Sequence, residues 1–178
     1  MSRKINRGVL VDIKDVLNWE NMKDPRLVEL DSRLIDLFAK NFQSLARLAL
    51  FVVYFWFGFV KLAGLSPAGP LAEALALKTV GMEYFEVLFY SLAVVECLIG
   101  VLFLIPRATR TALSLLFIHM LIVCSPLILL PDYTWQQFGV PTLEGQYIIK
   151  NVTIIALSAG LTAALRPLGL TKAASQTR

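Results

Sequence analysis

Apolar residues run almost unbroken through four stretches, about 44–63, 85–105, 109–130 and 146–165. Each is near the ~20 residues that carry a helix across ~30 Å of hydrocarbon. The stretch before them has a different rhythm. From Arg26, Leu27, Leu30, Leu34, Leu37, Phe38 and Phe42 recur at three-and-four spacing, with Glu29, Asp31, Arg33, Asp36 and Lys40 on the remaining arc. That is the signature of an amphipathic helix, started by Asp24-Pro25 and running into the first span near Ser44. It is expected to lie at the membrane interface, the competing reading being a docking surface for a partner protein. Residues 1–25 mix charges of both signs and read as a loose cytoplasmic tail.

The connections are patterned too. Pro106 ends the second span and makes a tight hairpin of spans two and three. Between spans one and two, a turn cluster at 65–70 precedes LAEALALKTV, which is too short to cross and reads as a re-entrant or surface helix. Between spans three and four, Tyr133, Trp135 and Phe138 stand among prolines and glycines, as a headgroup belt or as a lid over a cavity. The expected fold is all-α: an integral membrane four-helix bundle over 44–165, preceded by a tail and amphipathic interfacial helix over 1–43 and followed by a second tail over 166–178.

Composition supports a membrane chain, with 57% hydrophobic and 17% charged residues and a mean hydropathy of +0.66. The net charge of +4 matters less than where the charges fall. Of the 17 Lys and Arg residues, nine lie at or before Arg47, two are Arg107 and Arg110, and three follow the fourth stretch. Lys78 is the basic residue of the first and third loops. Positive charge marks the cytoplasmic side, so both termini and the 106–108 loop are expected there. The charged first 43 residues do not follow a secretory signal, and the first span is expected to be retained. No aromatic-basic interleaving argues for nucleic acid. Cys97 and Cys124 have no metal or redox spacing and read as small packing residues.

Against this background the polar residues at membrane depth stand out. Glu96 sits near the middle of FEVLFYSLAVVECLIGVLFLI, where a carboxyl group must be protonated, paired or turned to a polar interior. His119 falls at similar depth in span three and forms the obvious pair with it. At ~1.5 Å per residue, Lys61 and Lys150 share a level in the outer half, with Glu86 and Glu144 at or just above it. A cluster of two lysines and up to two glutamates follows if the helices are rotated to face one another. Lys61 can equally snorkel to the headgroups. Lys150 is harder to dismiss, because Tyr147, Asn151, Thr153 and Ser158 make its helix polar along one side. Ala93, Cys97 and Gly100 flank Glu96 at close-packing spacing.

No HExxH, GxSxG or Gly-rich phosphate loop is present, and one histidine cannot hold a metal alone. The reading leans away from an enzyme. Three short motifs in order, Gly58 with Lys61 in FWFGFVKLAG, Glu96 with Gly100 in VVECLIG, and Lys150-Asn151 in LEGQYIIKNV, resemble those of the DoxX-like superfamily of four-span bacterial membrane proteins over roughly 47–165. That resemblance implies a bacterial inner-membrane location and an accessory role in a redox or stress-defence system, beside a membrane or peripheral redox protein. The expected site is Lys61, Glu96, His119, Lys150 and Asn151, with Glu86 and Glu144 as an outer cluster. It would bind a quinone or another small lipophilic molecule. Two alternatives stay open: a small transporter or proton-coupled permease, which needs a homo-oligomer, and a structural scaffold whose charges lock helix register.

Overall fold

The structure is a computed structural model, and it describes residues 25–165. The two tails expected at 1–24 and 166–178 lie outside the described residues. Contacts divide the chain into two units, Met1–Phe42 and Gln43–Arg178. Helix α1, Pro25–Leu62, contributes to both. Its proline stands at the first helical position, where the missing N–H costs nothing and φ is already helical. In the first unit the apolar side chains of α1, among them Leu34 and Phe38, are exposed, and Arg33 pairs with Glu29 one turn away at 2.6 Å.

In the second unit, α1 stops at a glycine. Gly64 takes φ 69° while the Leu65 N–H donates to the Val60 carbonyl at 3.0 Å. This left-handed close satisfies the last carbonyls and fixes the turn that carries Lys61. The stretch read as a re-entrant or surface helix is a helix, α2, Gly69–Thr79. A 3-10 turn at Met82–Tyr84 leads into α3, Phe85–Leu104. Pro106 ends it as expected, and the 3-10 turn Pro106–Ala108 reverses the chain into α4, Thr109–Cys124. The Thr109 hydroxyl donates to the Pro106 carbonyl at 2.8 Å, and α3 and α4 pack along each other.

The third loop is ordered. Prolines open two short helical turns, α5 (Pro126–Leu129) and α6 (Pro131–Thr134), and an antiparallel hairpin follows, β1 (Trp135–Gln137) with β2 (Val140–Pro141). Trp135 Nε1 donates to the Leu127 carbonyl at 3.0 Å and ties the hairpin to α5. Tyr133 and Phe138 remain exposed. Thr142 caps helix α7, Leu143–Ile149, accepting from the Gly145 N–H at 3.1 Å.

Among the described residues three helical segments are long and apolar enough to cross a membrane: Pro25–Leu62, Met82–Leu104 and Pro106–Leu129. The stretch expected to be a fourth span is two shorter helices, α7 and α8 (Asn151–Ala163), parted at Lys150. The parting is one tightened turn: Lys150 keeps helical dihedrals (φ −58°, ψ −20°), and its carbonyl accepts both the N–H and the hydroxyl of Thr153. A threonine hydroxyl competing for a helix carbonyl is enough to disturb the ladder locally.

The core is formed by Leu50, Ile99, Phe103, Leu116 and Leu161, drawn from α1, α3, α4 and α8. The outward side chains are as apolar as the inward ones. Val87, Leu121 and Ile128 are 68–83% exposed, a surface that suits hydrocarbon as its solvent. The chain is therefore a mostly helical, multi-pass membrane protein.

Candidate functional site

Two glycines let α1 and α3 approach closely enough to bury polar groups between them. A Cβ at Gly58 would fall 2.6 Å from the Ala93 carbonyl oxygen and 2.7 Å from Cys97 Sγ. One at Gly100 would fall 2.8 Å from the Phe55 backbone nitrogen. Small residues at such a crossing replace the missing hydrophobic drive between helices in lipid with close backbone contact. Ala46, Leu50, Tyr54 and Gly58 make the buried face of α1, and Lys61 continues that face at its last turn.

At this crossing Lys61 and Glu96 form an ion pair through Nζ and Oε1. His119 Nε2, from α4, lies 3.0 Å from the same oxygen. The side chains of Glu96 and His119 are 5% and 4% exposed and that of Lys61 is 11%, so the pair is shielded from solvent on every side. Three helices thus meet on one carboxylate oxygen. Tyr54 stacks edge-on against the His119 ring, with centroids 5.4 Å apart at 65°. The other carboxylate oxygen, Glu96 Oε2, is buried without a hydrogen-bond partner, as are His119 Nδ1 and the Tyr54 hydroxyl.

Lys61, Glu96 and His119 therefore come together. The remaining candidates lie elsewhere. Lys150 is exposed and sits over the ring of Tyr147, with Nζ 4.8 Å from its centroid, a cation–π contact within one helical turn. Asn151 beside it is half-buried. Glu144 is exposed in the first turn of α7. Glu86 is exposed at the start of α3, where it lines an open cleft of about 180 Å³ with Glu73, Phe89 and Tyr90.

Tyr54 is the member of the site that the sequence reading missed. It sits inside VVYFWFG, where an aromatic run hides it as one more lipid-facing ring. Its spacing was the available signal, since Tyr54, Gly58 and Lys61 fall at i, i+4 and i+7 on one helix face. Ser158, expected on the polar side of its helix, is fully buried on α8, and its hydroxyl also lacks a partner. Among the described residues no group of three His, Cys, Asp or Glu side chains could hold a metal ion.

What this arrangement can do is hold a charge-neutral, hydrogen-bonding centre inside an apolar bundle. The Lys61 ammonium stabilises the Glu96 carboxylate, and His119 can donate to it or accept from it according to tautomer. Comparison with protein-family models, with curated proteins and with solved structures gives no match, so the likeness to the DoxX-like superfamily rests on its three short motifs.

Proposed function

We propose that this membrane protein crosses the bilayer four times and uses the Lys61, Glu96 and His119 centre, with Tyr54, to hold the oxygenated end of a small lipophilic molecule of the quinone class. The observation that carries the reading is the set of three buried atoms without partners, Glu96 Oε2, His119 Nδ1 and the Tyr54 hydroxyl. Buried polar groups are nearly always hydrogen-bonded, and a centre built only to lock helices together would close on itself. An oxygenated headgroup supplies what these atoms need: a carbonyl accepts from Tyr54, and a hydroxyl donates to Glu96.

The fourth crossing is α7 and α8 taken together, about 21 residues or ~31 Å of helix, enough to span. The charge distribution supports termini and the 106–108 loop on the cytoplasmic side. The bacterial inner-membrane location and the accessory role in redox or stress defence rest on the resemblance. The protein itself need carry out no chemistry in that role.

Native mass spectrometry on protein extracted gently from its own membranes tests the binding reading, comparing wild type with Glu96→Gln and Tyr54→Phe. A discrete lipophilic molecule on the wild type, lost in Glu96→Gln and weakened in Tyr54→Phe, is the expected result. Apo protein in all three forms, equally stable, would leave the centre as a register lock. The close glycine contacts around it are the observation on which that second reading would then stand.

A further inference from the structure

Arg47 lies about one turn into the apolar run of α1, at the end of the second unit away from Lys61. Ala46 and Leu50 beside it are 3% and 1% exposed and belong to the core, whereas Leu45 and Leu48 are 51% and 52% exposed. The arginine thus stands on the border between the packed face of α1 and the face whose solvent is hydrocarbon. It is half-buried, its Nε is enclosed without a hydrogen-bond partner, and it forms no ion pair among the described residues. A guanidinium keeps its charge and carries five N–H donors, so leaving it without an acceptor at this border is costly.

Among its described residues the second unit offers no carboxylate there. Glu73, Glu83, Glu86, Asp132 and Glu144 lie in the loops and helix starts at the Lys61 end, and Glu96 is engaged at the centre. The α1/α3 crossing brings a second arginine to this end. Gly58 lies against Ala93 and Cys97, and Phe51 and Phe55 lie against Gly100, so the two helices run in opposite directions. Four residues before Phe51 on α1 is Arg47, and seven after Gly100, in the turn that follows α3, is Arg107. Arg107 is exposed and likewise forms no ion pair among the described residues.

We infer that Arg47, with Arg107 at the same level, binds the phosphodiester of an anionic phospholipid. The planar guanidinium fork matches two phosphate oxygens, and its long stem carries the head to the phosphate level while its methylenes stay among apolar groups. The phosphate arrives on a lipid because the flanking Leu45 and Leu48 face hydrocarbon, where acyl chains already lie. Basic positions between membrane helices recognise acidic headgroups in this way. Two arginines favour a lipid of net negative charge over a zwitterionic one, whose own ammonium offsets its phosphate. The site is independent of the Glu96 centre and of what that centre binds.

Native mass spectrometry tests it on the full chain, purified in detergent and supplied in turn with phosphatidylglycerol, phosphatidylcholine, diacylglycerol and inorganic phosphate. The wild type should retain one phosphatidylglycerol, severalfold more than phosphatidylcholine, and no diacylglycerol. Arg47→Gln should lower that occupancy severalfold, and Arg107→Gln, in an exposed turn where folding is not at stake, should lower it too. Lys78→Gln, which removes a base at the other end, and Glu96→Gln should both keep the phospholipid. A lipophile lost in Glu96→Gln and a phospholipid lost in Arg47→Gln are thereby separate results. Equal phosphatidylglycerol occupancy in wild type, Arg47→Gln and Arg107→Gln would overturn the inference, as would diacylglycerol held as well as phosphatidylglycerol. An equal loss in Lys78→Gln would overturn it in favour of net charge alone. Inorganic phosphate raising the unfolding midpoint of the wild type, but not of Arg47→Gln, as much as phosphatidylglycerol does would overturn the lipid as its source.

Discussion

Glu96 Oε1 receives both Lys61 and His119, so the three side chains respond to substitution as a unit. Removing one partner of a buried ion pair strands the other, at about 3–5 kcal/mol, whereas replacing both by apolar groups is often neutral or better. The two single changes should differ. Lys61 stands in the last turn of α1, so in Glu96→Gln its flexible stem can carry the ammonium toward the headgroups. Glu96 has no such exit, and Lys61→Met leaves a carboxylate among apolar helices. We expect Lys61→Met to lower the thermal unfolding midpoint in detergent more than Glu96→Gln, with Lys61→Met/Glu96→Leu recovering most of the loss. Additive losses in the double variant would mean that the two groups act separately. The sequence made Glu96 and His119 legible because mid-membrane charge is costly and therefore placed for a reason. It made Lys150 equally suggestive, since depth can be counted along a chain but helix rotation cannot. Only rotation separates Lys61, on the buried face of α1, from Lys150, turned out over Tyr147.

The element that sets this geometry is the α1/α3 crossing. Within that crossing, Gly58 and Gly100 are the positions where one added carbon meets backbone, which cannot move aside as a flexible side chain can. Overpacking a fitted interior costs about 1–3 kcal/mol. Gly58→Ala should therefore destabilise by at least that range and loosen the Lys61–Glu96 pair with it. Gly69, at the first position of α2, has open space around its would-be Cβ, and Gly69→Ala should be neutral or stabilise by about 0.5–1 kcal/mol through lost unfolded-state freedom. Equal thermal shifts for the two alanine variants would remove the close crossing as the cause. Hydrophobic run length and proline placement carried α3, its stop at Pro106 and the start of α1 at Pro25. They carried less of the third loop, because a two-stranded hairpin tied by Trp135 depends on one indole N–H reaching a carbonyl eight residues earlier. No local pattern announces that bond.

For the whole molecule, the number of crossings turns on the last apolar stretch. Among the described residues three helical segments are long enough alone, and the stretch expected as a fourth is divided at Lys150 into α7 and α8. At the division the Lys150 carbonyl accepts from Thr153 and the Lys150 N–H donates to the Gln146 carbonyl, so the chain keeps a helical course there. A crossing by the combined segment requires that its backbone polar groups be satisfied inside the hydrocarbon. Hydropathy along the sequence merges the two helices into one span, because it reads the apolar run and not the hydrogen-bond ladder that is interrupted at Lys150. Labelling with a membrane-impermeant maleimide, on single-cysteine additions at exposed positions, reads the topology directly. Lys78→Cys and Gln137→Cys, in the first and third loops, should label on intact cells, and Arg107→Cys only after permeabilisation. Ala164→Cys decides the fourth crossing: it should behave like Arg107→Cys. If it labels from outside as Gln137→Cys does, α7 and α8 turn back without crossing, and the four-span reading falls while the buried centre formed by α1, α3 and α4 stands.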